Sequence, residues 1–161
     1  MSALPLVAAF LLHASPDPSA LAEIAEGADE VHIALVESSF SGDNSDGPAP
    51  RLDERSPVRK LSRKDAKQVS ALVAAIARSK EPLQKFCGFN PDLRVTFKKG
   101  AHSVRAVFCF SCSDVIIQRT DGQPSGTKRE FREHMAALEA LVARVFADLP
   151  EEKRQLGNSF P

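Results

Sequence analysis

The sequence predicts an α+β domain, with an antiparallel sheet of three to five strands packed on two main helices. Three observations carry that expectation. Residues 93–118 alternate apolar and polar side chains over three short runs separated by turn residues, which is a meander. Residues 63–79 carry Ala66, Val69, Leu72, Val73 and Ile76 on one stripe at helical spacing. Residues 127–149 repeat the device with Phe131, Met135, Leu138, Val142, Val145 and Leu149.

Composition limits the function classes. The 161 residues suffice for one domain with its own core, here assigned to residues 18–150. Lys plus Arg and Asp plus Glu number 21 each, so no net charge draws the chain to nucleic acid or an acidic membrane. Trp and Tyr are absent. The ten Phe sit mostly at inward-patterned positions, so they read as core and not as a stacking platform for bases. The expected partners therefore exclude nucleic acid and leave an unidentified protein.

In chain order, Leu4 to Leu12 is an apolar run closed by Ser15-Pro16-Asp17-Pro18. It is too short to span a bilayer. Residues 1–17 read as a signal-like or N-terminal segment, and the two prolines that isolate it favour export to the periplasm over a cytoplasmic location. Residues 18–26 form a short helix ended by Gly27, and residues 30–36 a strand apolar on both faces. Residues 38–57 are rich in Ser, Gly, Pro and Asp and read as one long loop. Asp43 and Asp46 within it do not match the spacing of a calcium loop. Residues 58–61 return as a short strand beside residues 30–36. Ser62 then caps the helix, with Asp65 near its first N–H groups. Residues 151–161 read as a frayed polar tail.

The meander has a register that the pattern dictates. With Gly100-Ala101 as a two-residue turn, Lys99 faces His102, Phe97 faces Val104, Val95 faces Ala106 and Leu93 faces Phe108. All the apolar pairs share one face. For the next turn, at residues 111–114, the expected pairs are Phe110 with Val115 and Phe108 with Ile117. Cys109, Val107 and Ile116 fall on the opposite face. Both the start of the first strand and the second turn lie at the end away from Gly100. Cys87, Cys109 and Cys112 are thereby expected to gather there.

Cys87, Pro91, Phe97, Gly100 and the Cys109-Phe110-Ser111-Cys112 run, after a helix opened by Leu61-Ser62, resemble a spacing pattern in small, functionally uncharacterised bacterial proteins. The resemblance covers residues 58 to 118. It departs at Phe108, where that group carries Val before the Cys. It implies an α+β sandwich and carries no activity.

Several chemistries suit three thiols so placed. One is a structural disulfide joining Cys87 to Cys109 or Cys112 in an oxidising compartment, leaving one thiol. Reduced, buried cysteines acting as small hydrophobes are another. A zinc or copper(I) site would use Cys87, Cys109 and Cys112 but lacks a fourth ligand. His102 lies at the wrong end, His32 is on a strand and His13 is in the N-terminal segment. His134 alone is placed to fold back, so no cofactor is assigned and zinc stands as the alternative. A redox dithiol at Cys109 and Cys112 would lack the helix N-terminus that usually lowers a thiol pKa. No phosphate loop, Gly-x-Ser-x-Gly or His-Glu-x-x-His occurs, and no catalytic residue is assigned. Glu23 and Glu26, on one helix face, read as solvated carboxylates. The expected function is a non-enzymatic binding or structural module, against an alternative of a thiol-based redox or metal-binding protein.

Overall fold

The computed structural model describes residues 17–38, 52–80, 89–121 and 126–157. Helix α1 spans Pro18–Glu26. Asp17 caps it, its side chain accepting from the Ser19 N–H at 2.9 Å, and Pro18 occupies the first turn, where a missing N–H costs nothing. Leu21, Ala22, Ile24 and Ala25 are its buried face. Strand β1 (Glu30–Ser38) follows, buried on both faces from Ile33 to Val36. Short strands β2 (Leu52–Glu54) and β3 (Arg59–Lys60) both pair antiparallel with it.

The expected loop over residues 38–57 is thus broken by β2, which pairs Val36 with Glu54 and Ser38 with Leu52. The outer end of β1 offers unpaired backbone groups, and a short return strand satisfies them despite a loop-like composition. Residues 39–51, with Asp43 and Asp46, lie outside the described residues.

Helix α2 (Arg63–Arg78) starts where the sequence places it. Ser62 Oγ accepts from the Asp65 N–H at 3.2 Å and donates to the Asp65 carboxylate at 2.8 Å. Val69, Val73 and Ile76 are buried, and Ala66 and Leu72 pack against the core edge.

Strands β4 (Leu93–Lys99) and β5 (His102–Cys109) take the predicted register, from Lys99↔His102 to Leu93↔Phe108. Gly100 sits at φ 56°, the left-handed region a side chain disfavours, which is why the turn uses glycine. Strand β6 (Asp114–Arg119) pairs with β5, but its register differs from expectation by two residues. Phe108 faces Val115, Cys109 faces Asp114 and Ala106 faces Ile117. The turn is residues 110–113, closed by Ser113 at φ 58°, and Phe110 lies in it instead of in the strand. A shift of two keeps the side-chain parity, so the same apolar face survives.

The largest correction concerns the last helix. Residues expected to open it form strand β7 (Gly126–Glu130), paired along β6 from Gln118↔Gly126 to Asp114↔Glu130. Gly126 and Thr127 are weak helix formers, and the open edge of β6 offers a ladder that a helix cannot supply. Helix α3 (Met135–Val145) starts only after a 3₁₀ turn at Arg132–His134. The predicted stripe survives nonetheless. Phe131, Leu138 and Val142 are buried, and Met135, Val145 and Leu149 pack on the core.

The result is one antiparallel sheet of seven strands in the order β2-β1-β4-β5-β6-β7, with β3 also on β1, so the expected three to five strands undercount it. One face joins α1, α2 and α3 in a single core. The expected tail also gains structure. Helix α4 (Glu151–Arg154) precedes Leu156, which packs on the core, and Gly157, which docks at the cysteine end of the sheet. Residues 1–16, the signal-like segment apart from Asp17, lie outside the described residues, as do 158–161. Among the described residues no helix is long and apolar enough to cross a membrane.

Candidate functional site

The end of the sheet away from Gly100 is built around the turn between β5 and β6. Cys109, the last residue of β5, is fully buried with a free thiol. Its Sγ accepts the Asn90 N–H at 3.3 Å and lies 3.3 Å from Ser111 Oγ. Cys112, in the turn, is also buried. Cys87 lies outside the described residues, but Asn90, three positions after it, comes directly against the Cys109 sulfur.

Asp92 ties this end together. It is 1% exposed, and its carboxylate accepts the Phe110 N–H at 2.8 Å through Oδ2 and the Gly157 N–H at 3.0 Å through Oδ1. Its own N–H donates to Phe108 O at 2.8 Å, and its carbonyl accepts the Val36 N–H at 3.0 Å. One residue thus connects β1, β5, the cysteine turn and the C-terminal segment. Gly157, at φ 79°, lies so close to Phe110 that an added Cβ would sit 3.5 Å from the Phe110 Cβ. Asp114, equally buried, meets Lys128 Nζ of the neighbouring strand at 2.8 Å, which offsets the cost of burying its charge.

The 3₁₀ turn carrying His134 runs beside the cysteine turn. Ser113 Oγ donates to Met135 Sδ at 3.4 Å, and the Phe131 N–H donates to Ser113 O at 2.9 Å. His134 Nε2 lies 3.8 Å from Glu133 Oε1. Among the described residues no three His, Cys, Asp or Glu side chains converge as a metal site. A strand, β6, follows the Cys-x-x-Cys, so the pair does not open a helix of its own. Glu23 and Glu26 do not work as a carboxylate pair. Glu26 takes two hydrogen bonds from Arg78, at 2.7 and 2.8 Å, and that guanidinium holds its carboxyl below the ordinary range.

At the opposite end, a cluster appears that sequence reasoning missed. Asp121 accepts from Arg119 Nη2 at 2.7 Å and Nε at 2.9 Å, and from His102 Nδ1 at 2.8 Å. The Arg119 guanidinium above all, and the His102 ring after it, hold the Asp121 carboxyl well below its usual range. A carboxyl lowered in the folded state stabilises fully above its unfolded pKa of about 4, and the contribution drains away as pH falls toward the folded value. Asp121→Asn is therefore expected to flatten the acid limb. Denaturant titrations from pH 7 to 2 would show the variant losing less stability below pH 4 than the parent. Superimposable acid limbs would show that the cluster contributes nothing.

No family model, curated protein or solved structure matches the chain.

Proposed function

We propose that the chain is a small non-enzymatic binding or structural module whose cysteine end is a structural joint, cross-linked by a disulfide between Cys87 and Cys112 with Cys109 left as a thiol. The observation that carries this reading is the unequal state of the two turn cysteines. Cys109 is a free thiol, buried and hydrogen-bonded by the Asn90 N–H, whereas Cys112, buried in the turn, is not among the free thiols. The chain has one other cysteine, Cys87. The burial of Cys109 and the absence of a following helix both argue against an exchanging dithiol. A cross-link from Cys87 to the turn would fix the strand entry at Asn90 against the joint that Asp92 organises, and would stabilise by about 2–4 kcal/mol. It also supports export, because such bonds persist in oxidising compartments.

Thiol titration of the unfolded protein, prepared without reductant, is expected to give one reactive thiol per chain. Peptide mapping then recovers Cys87 linked to Cys112, and Cys112→Ser lowers stability by about 2–4 kcal/mol. Three thiols without metal would sink the disulfide and leave reduced, buried cysteines. Three thiols shielded together by stoichiometric zinc or copper would replace the reading with the metal-binding alternative.

A further inference from the structure

A cleft of about 700 Å³ opens between the end of α1 with the turn into β1, on one side, and β3 with the first half of α2, on the other. It lies at the Gly100 end of the sheet, since the Asp29 N–H donates to Lys98 O and Asp29 Oδ2 accepts the Gly100 N–H. It is thus remote from the cysteine joint and independent of how the thiols pair. Residues 63, 66, 67, 70 and 71 of α2 line it, recurring at three- and four-residue steps and so forming one helix face. Val31, Leu61 and Ala66 supply an apolar lining.

The charges in this cleft are unevenly used. Glu26 is held by Arg78. Asp29 is engaged by the Gly100 N–H at 3.0 Å. Glu30 is bonded by Lys60 and lies 3.3 Å from His32 Nε2. Glu26 and Glu30 are therefore paired with cations, Lys60 among them, while Asp29 is held by a neutral backbone N–H. Arg63 and Lys67 have no acidic partner among the described residues. Two side-chain cations thus line the cleft without a direct carboxylate partner. Ser70 adds a hydroxyl donor to the cleft wall. It is 6% exposed and lines the cleft, yet among the described residues its hydroxyl has no hydrogen-bond partner. The hydroxyl is not sealed off, so it can donate to a ligand oxygen in the cleft.

We propose that this cleft binds a small organic dianion with a compact apolar body, of the phosphate-monoester or dicarboxylate class. Its two negative charges match Arg63 and Lys67, an oxygen accepts from Ser70, and its body covers Val31, Leu61 and Ala66. The volume falls in the range of small-molecule sites. Arg63 offers the fork geometry that suits either anion, and Lys67 a point charge.

The test is an NMR titration of the full chain with phenyl phosphate, alongside inorganic phosphate and benzoate. Phenyl phosphate is expected to produce saturable shifts at the amides of Arg63, Lys67 and Ser70, with affinity at least tenfold above both comparison anions. The double variant R63Q/K67Q, whose exposed positions leave the core untouched, is expected to melt like the parent and to bind at least tenfold more weakly. Ser70→Ala is expected to weaken binding about threefold to tenfold. No saturable shifts overturn the site. Equal binding of benzoate overturns the second charge, equal binding of inorganic phosphate overturns the apolar contact, and unchanged binding by the double variant overturns the role of α2.

Discussion

Phe131→Ala is expected to destabilise the protein by about 3–5 kcal/mol, the range for emptying a fully buried phenylalanine site. Phe131 is 0% exposed and receives two edge-to-face contacts, from Phe108 at 5.0 Å between centroids and from Phe110 at 5.1 Å. Such contacts add to the burial itself. The position has limited freedom to collapse, because it lies between the end of β7 and the 3₁₀ turn, with its N–H bonded to Ser113 O. For a chain of this size the loss corresponds to a melting point lower by roughly 6–20 °C. Phe131→Leu, which keeps most of the volume, is expected to cost clearly less. Chemical denaturation of both variants checks this, and equal losses would show that the aromatic cluster adds nothing beyond volume.

Asp92→Ala is expected to cost about 2–6 kcal/mol, at 1–3 kcal/mol for each backbone donor left without its acceptor. The donors are the N–H groups of Phe110 and Gly157. The effect should be local as well as global. Amide hydrogen exchange at Phe110 and Gly157 is expected to accelerate more than at Val95 in the sheet centre, since the turn and the C-terminal segment lose their shared anchor. Asp92→Asn keeps one oxygen acceptor and should fall between parent and alanine variant. A loss below about 0.5 kcal/mol for the alanine variant would show that water replaces the carboxylate without penalty.

The sequence marks Phe131 as a stripe residue and shows neither its aromatic contacts nor the role of Asp92. Asp92 follows Asn90-Pro91, where an acidic residue reads as ordinary turn chemistry. Only the chain returning from residue 157 and the turn at residue 110 turn it into a buried hub. The sequence pattern sets Phe131 on the correct stripe but inside a helix, whereas it lies between β7 and the 3₁₀ turn and meets Phe108 and Phe110 edge-on. The His102–Asp121–Arg119 cluster was missed through register. The observed β5–β6 pairing brings residue 121 toward His102, beyond the Val104↔Arg119 pair, whereas the expected pairing ran two residues further. The cleft residues Arg63, Lys67 and Ser70 share one face of α2 but form no pattern that the sequence marks as a site. That this face looks across a gap at the turn into β1 depends on packing.

The sequence alone determined the features governed by local pattern. These are the α+β class, the end of α1 at Gly27, the cap of α2 at Ser62, the β4–β5 register set by the Gly100 turn, and the apolar stripe that packs α3. Each depends on side-chain period or turn chemistry within some twenty residues. Tertiary structure decided the strands β2 and β7, the two-residue shift at the cysteine turn, and the docking of residues 151–157. The physical reason is common to them. Open strand edges at β1 and β6 and unpaired backbone groups at the turn demand partners. Those partners come from segments whose own composition reads as loop, helix or tail, so the demand is visible only once the rest of the sheet is in place.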